Sequence, residues 1–113
     1  MAGVIVRNES IAAAPAVNEN ILSGSAFEFA RGNSFVSMGI VQSVTGLFVT
    51  IQAGGTVIAE EFEPPIESAA YPQTNEDFYF NEFAVAGDRL VIRVRNSTGG
   101  AIDVRAVVQI TDI

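Results

Sequence analysis

The clearest alternation of apolar and polar residues lies near the end of the chain. Over residues 101–111, every second side chain is apolar, and the positions between them include Asp103, Arg105 and Gln109. A period of two is typical of a β-strand with one buried face. The same kind of pattern predicts strands over residues 26–30, 34–43, 47–52, 56–62, 78–85, 89–96 and 101–111.

The segments between these strands are short and rich in glycine. Ala53-Gly54-Gly55 offers the positive-φ residues that a tight hairpin needs. Short turns between residues 34 and 62 therefore predict a three-stranded antiparallel meander. Glu60–Thr74, with Pro64, Pro65 and Pro72, predicts a long polar crossover from one sheet to another. The fold class predicted is all-β, a single antiparallel β-sandwich of jelly-roll-like or Greek-key type.

Residues 1–20 lack a sustained period of two. Val4, Ile5 and Val6 favour a short strand, but the stretch Ala12–Ala16 contains Pro15 and interrupts it. We therefore predict an extended N-terminal arm over residues 1–20, followed by the β-sandwich domain over residues 21–113.

The composition excludes most catalytic chemistry. The 113 residues suit a single domain, and they contain no cysteine, histidine or lysine. No Ser-His pair, Ser-Lys pair or thiolate metal site can form within the chain. Glu60, Glu61 and Glu63 lack the spacing of a calcium loop and are interpreted as a solvated segment. We expect a chain that is not an enzyme and has no cofactor and no metal site.

Charge and hydropathy indicate the class of partner. A net charge of −7 repels nucleic-acid phosphates and anionic membranes, so neither is expected as a partner. No stretch resembles a signal peptide or the ~20 apolar residues of a membrane span, so a non-secreted product is expected. The mean hydropathy of +0.34 favours an apolar surface that meets another protein. The alternative is a core that is simply rich in valine and alanine.

Three arginines share one face of a predicted strand. Arg89, Arg93 and Arg95 alternate with apolar residues, and guanidinium groups about 7 Å apart repel unless acids neutralise them. One interpretation is cross-strand pairing within the same sheet, with Glu28, Glu82 or Asp103. The other is pairing with acidic residues of a neighbouring subunit, since arginine is enriched at interfaces.

Three consecutive aromatic residues, Phe78, Tyr79 and Phe80, must place rings on both faces of their strand. One face belongs to the core. The other lies under the crossover or contacts another chain, and the sequence leaves both alternatives open.

The chain resembles a known family in its arrangement. An N-terminal arm leads into Ile21-Leu22-Ser23-Gly24-Ser25-Ala26-Phe27-Glu28-Phe29, and Val85–Asn96 then precedes a last strand. This looks like the small jelly-roll-like cement or decoration proteins of tailed bacteriophage heads. The resemblance implies a subunit on the outside of the capsid, made in the host cytoplasm, that bridges neighbouring major capsid proteins and copies of itself as a homo-oligomer within the assembly.

The predicted function is therefore a non-enzymatic capsid decoration subunit that stabilises the shell. Two alternatives stay open: a carbohydrate-binding or adhesive β-sandwich of a tail fibre or spike, and a minor capsid or head–tail component. The residues predicted to bind partners are Val4, Ile5, Val6, Ile11, Tyr79, Arg89, Arg93 and Arg95.

Overall fold

The computed structural model describes residues 3–25, 28–66 and 78–112, and the side chains of Phe78, Tyr79 and Asp112 lie outside this description. The strands are β1 (Gly3–Ile11), β2 (Val17–Asn18), β3 (Ser34–Gln42), β4 (Leu47–Ala53), β5 (Thr56–Phe62), β6 (Phe78–Ala84), β7 (Leu90–Asn96) and β8 (Ile102–Asp112). No described segment is a helix long and apolar enough to cross a membrane.

The strands form two antiparallel sheets of four strands each. Sheet I has the order β1-β8-β3-β6, and sheet II has the order β2-β7-β4-β5. The inward side chains of the two sheets make one shared core, as the alternation predicts. The predicted all-β sandwich is confirmed.

Strand β8 lies between β1 and β3, and five of its described side chains point inward. Ile102, Val104, Ala106, Val108 and Ile110 are at most 3% exposed. Its register places Val108 beside Ile5 of β1 and Met38 of β3, both of which are also buried. The alternation of β8 therefore fixes which face of sheet I meets the core.

The predicted meander is wrong. Only β4 and β5 form a hairpin, because β3 pairs with β6 and β8 in sheet I while β4 pairs with β5 and β7 in sheet II. The short turn after β3 is a corner between the sheets. Buried Gln42 holds this corner: its side-chain oxygen accepts from the N–H of Leu47 (3.0 Å), and its amide nitrogen donates to the carbonyl of Pro64 (2.6 Å).

The connection after β5 does pass from sheet II to sheet I, as the predicted crossover requires. Its start is corrected, because Glu60 and Glu61 lie within β5 and the strand ends at Phe62. Ile66 makes an isolated parallel bridge with Gln42. The rest of the crossover, residues 67–77, lies outside the described residues.

The extended N-terminal arm is not confirmed. Residues 3–11 form β1, which pairs with β8 along its whole length, and Ile5 and Ile11 belong to the core. The inward positions between them hold Arg7 and Glu9, which interrupt the apolar alternation and hide the strand in the sequence. In the strand predicted over residues 26–30, Phe29 makes only an isolated bridge with Arg89, and residues 26 and 27 lie outside the description.

Buried Asn96 joins the end of β1 to the turn after β7. Its side-chain nitrogen donates to the carbonyls of Ile11 (3.1 Å), Ala12 (3.0 Å) and Gly100 (2.8 Å). Its side-chain oxygen accepts from both the N–H and the hydroxyl of Thr98, each at 2.8 Å. Because this one amide satisfies groups from both segments, it fixes where β1 leaves sheet I.

We expect Asn96→Ala to lower the free energy of unfolding by about 2–4 kcal/mol, because it leaves buried carbonyls without donors. Urea unfolding followed by circular dichroism measures the effect. The matched control is Asn81→Ala on the exposed surface of β6, for which a change within about 0.5 kcal/mol is expected. Equal effects of the two substitutions would contradict the role given to Asn96.

Candidate protein-binding surface

The predicted arginine ladder lies on sheet II, and each of its members pairs with an acid of the same chain. The Nε atoms of Arg89, Arg93 and Arg95 lie near carboxylate oxygens of Glu28 (2.6 Å), Glu19 (3.0 Å) and Glu61 (3.1 Å), respectively. The first of the two sequence interpretations, pairing within the chain, therefore describes the ladder in the folded chain. The second, contact with a neighbouring subunit, stays a prediction.

The predicted partners are only partly right. Glu28 is confirmed for Arg89, but Glu82 and Asp103 lie on β6 and β8 of sheet I, away from the ladder. The actual partners of the other two arginines came from segments that the sequence assigned to the arm and the crossover. These ion pairs join residues that are far apart in the sequence. The alternation of residues 89–96 therefore could not predict them.

A bulge brings Glu61 to Arg95. The pairing of β5 with β4 shifts register between Val49 and Ile51, and Glu61 there adopts a φ of 49°. Bulges redirect the side chains of the strand that contains them. The guanidinium of Arg95 also lies 4.8 Å from the ring centroid of Phe48, its cross-strand neighbour. Arg95 is therefore held by an ion pair and a cation–π contact together.

Glu28 is the most enclosed acid of the ladder, with a side chain 11% exposed. It accepts a hydrogen bond from the N–H of Gly24 (2.9 Å) and another from Arg89. The Gly24 N–H, followed by Arg89, holds the pKa of Glu28 below its usual value of 4.5. The carboxylate therefore fastens the loop before β3 to the start of β7.

The outer face of sheet I has a different character, because three successive rows of its described side chains carry no charge. We call these rows the uncharged face. The rows are Val6 and Val107; Val4, Gln109, Ser37 and Asn81; and Thr111, Phe35 and Phe83. Charged residues of the same face, Asp103 and Arg105, lie on β8 beyond the first row.

Apolar side chains project from both ends of the uncharged face. Val4 and Val6 on β1 are 54% and 52% exposed, and Phe83 on β6 is 63% exposed. Phe35 and Phe83 stack edge to face with centroids 5.4 Å apart. Exposed apolar side chains grouped in this way are typical of a protein-binding surface.

The eight residues predicted to bind partners therefore separate into groups. Val4 and Val6 lie on the uncharged face, whereas Ile5 and Ile11 lie in the core. Tyr79 is part of β6, and its side chain lies outside the description. The sequence prediction missed Phe35 and Phe83, although their outward positions follow from the buried alternate positions of β3 and β6.

The described residues bring together no group of three or more acids that could hold a metal ion. Two shallow grooves, of about 340 and 350 Å³, lie beside β2 and beside the Gln42 corner. Each is lined by a single titratable side chain, Glu19 in one and Glu63 in the other. Neither groove assembles an acid–base pair.

We expect the stability difference between wild type and Glu28→Gln to depend on pH. Because folding lowers the pKa of Glu28, its contribution is complete above the unfolded value of about 4.5 and is lost as the pH falls through the lower folded value. Urea midpoints measured from pH 7 to pH 3 should show the variant less stable at neutral pH and the gap closing in acid. A gap that is constant with pH would contradict this assignment. Glu60→Gln on the exposed surface of β5, where the described structure gives the carboxylate no such donors, is the control.

No family model, curated protein or solved structure matches this chain.

Proposed function

We propose that the chain is a non-enzymatic structural subunit that packs the uncharged face of sheet I against another protein. The observation that carries the proposal is the absence of charge over three described rows of a face that presents Val4, Val6 and Phe83 to solvent. The chain as a whole carries 13 acids and 6 bases. A charge-poor patch on such a chain favours burial against another apolar surface.

The chemistry of this face favours protein over other macromolecules. Nucleic acid is bound through clustered cations, and the rows of the uncharged face contain none. The interior of a protein interface, in contrast, is depleted in charge and enriched in aromatic residues. The edge-to-face pair of Phe35 and Phe83 supplies such an anchor.

The outer face of sheet II is a weaker candidate for the main contact. Arg89, Arg93 and Arg95 already have carboxylate partners within the chain. A partner would have to replace those pairs, and exchange of one exposed ion pair for another gains little. The arginines therefore serve as secondary contacts at the rim of the interface.

The most specific form of the proposal is a capsid decoration, or cement, subunit on the outside of a tailed-phage head. Its support is the resemblance in architecture, size and composition together with a face suited to a protein partner. A capsid repeats one binding site many times, so each contact needs only modest affinity when the subunits also touch each other. The absence of histidine, lysine and cysteine supports a role without catalysis.

We expect the purified chain to co-sediment, to saturation, with heads of the virus that encodes it when those heads have been assembled without it. Phe83→Asp should weaken this binding by roughly tenfold or more, because it places a charge in the aromatic anchor. The matched control is Val57→Asp on β5 of sheet II, where the side chain is 47% exposed and binding should be unchanged. Urea unfolding confirms that both variants are folded.

Two outcomes would contradict parts of the proposal. Failure of the wild-type chain to bind these heads would remove the decoration role. Binding that survives Phe83→Asp unchanged would remove the uncharged face as the contact surface.

A further inference from the structure

Strand β1 lies at an edge of sheet I, and its position leaves one row of main-chain groups facing outward. The main-chain groups of Asp103 on β8 are engaged by Ser43, whose N–H donates to its carbonyl (2.9 Å) and whose hydroxyl accepts from its N–H (3.1 Å). Asp103 therefore does not exchange hydrogen bonds with Ser10, its neighbour on β1. By alternation, the N–H and C=O groups of Val4, Val6, Asn8 and Ser10 point away from β8.

The inward side chains of β1 are unusual for a strand that helps to close a core. Between buried Ile5 and Ile11 lie Arg7 and Glu9, two opposite charges on one face of the strand. The Nε atom of Arg7 is buried and has no hydrogen-bond partner in the described structure. A buried donor left unpaired raises the free energy of the folded chain. An acceptor supplied to Arg7 by a partner would therefore be stabilising.

We propose that two copies of the chain pair through their β1 strands, antiparallel and about a two-fold axis at Asn8. In this register, residue i of one copy lies opposite residue 16 − i of the other. Arg7 of each copy then faces Glu9 of the second copy, and Ile5 faces Ile11. The symmetry makes two ion pairs and extends the apolar core of each copy toward the other.

Other antiparallel registers lack this complementarity. A two-fold axis at Arg7 sets two arginines against each other and places Ile5 opposite Glu9. An axis at Glu9 sets two glutamates against each other and places Arg7 opposite Ile11. Because residues directly opposite in antiparallel strands share one face, only the axis at Asn8 joins Arg7 to Glu9.

The hydrogen-bonding pattern agrees with the same axis. Asn8 would exchange main-chain hydrogen bonds with Asn8 of the second copy, and Val6 with Ser10, for a total of about six bonds. Arg7 and Glu9 would form the intervening closely spaced pairs, in which side chains lie nearest to each other. The two copies of sheet I would become one continuous sheet of eight strands.

Inward charges on an edge strand ordinarily prevent other strands from adding to it. Here the two charges are opposite in sign and lie symmetrically about Asn8. They therefore oppose most registers and partners but attract a second copy of this chain in one register. Selective pairing with a second copy explains why Arg7 and Glu9 have opposite signs. Protection of the edge against all strands would not require opposite signs.

The first test is the solution mass of the full chain, measured by sedimentation equilibrium over a concentration series. Wild type should be a dimer in equilibrium with monomer. Arg7→Glu alone and Glu9→Arg alone each create like-charge pairs, and each should raise the dimer dissociation constant by roughly tenfold or more. When these two variants are mixed, every acid of one faces a base of the other, so a heterodimer should form.

The double variant R7E/E9R restores opposite charges within one sequence and should dimerise again. Asn8→Pro gives a second, independent test, because the N–H of Asn8 points away from β8 and its loss leaves the sheet of the monomer intact. This variant should be folded and monomeric. Thermal unfolding at low concentration verifies the fold of each variant.

A wild-type chain that stays monomeric at millimolar concentration would overturn the inference, as would a dimer that both Asn8→Pro and Arg7→Glu leave unchanged. Failure of the mixed single variants to associate would overturn the pairing of Arg7 with Glu9. The inference does not depend on the function proposed above: Phe83→Asp tests binding to heads and should leave the dimer intact, whereas Asn8→Pro should remove the dimer.

Discussion

The alternation of β8 is the constraint on which sheet I depends. This strand lies between β1 and β3, and its inward side chains from Ile102 to Ile110 are buried. Because a strand turns successive side chains to opposite faces, the burial of Val108 and Ile110 also directs Val107 and Gln109 outward. The core and the uncharged face are thus set by one register, and a slip of one residue would exchange them.

Local features of the sequence predicted the strands, and non-local contacts decided how they are arranged. Apolar alternation and glycine turns lie within a few residues of each other, so most of the strands appear near their predicted positions. Membership of a sheet depends on contacts such as that of Gln42 with Pro64, 22 residues away. The turn after β3 has the composition of a hairpin, yet this contact makes it a corner between sheets.

The difference between local pattern and non-local contact also decides how far each candidate surface could be predicted from the sequence. Outward positions of a strand follow from its inward ones, so Phe35 and Phe83 could have been placed on a surface before the structure was known. The partners of Arg93 and Arg95 could not, since Glu19 follows β2 and Glu61 lies on β5, and both are distant from β7 in the sequence. Strand β1 was missed because Arg7 and Glu9 take the inward positions where apolar residues were expected.

The same irregularity gives β1 its proposed specificity. A fully apolar alternation would have made the strand easy to predict, but it would also have left an edge open to any strand with a similar pattern. Opposite charges at Arg7 and Glu9 favour an antiparallel partner strand that places an acid opposite Arg7 and a base opposite Glu9. A second copy of β1 has this arrangement. Because the edge and the uncharged face point in different directions, the two proposed contacts, with a second copy and with another protein, are compatible in one molecule. Each contact then raises the effective concentration of the other, which is how a small subunit with two modest contacts would hold firmly to a repeating surface.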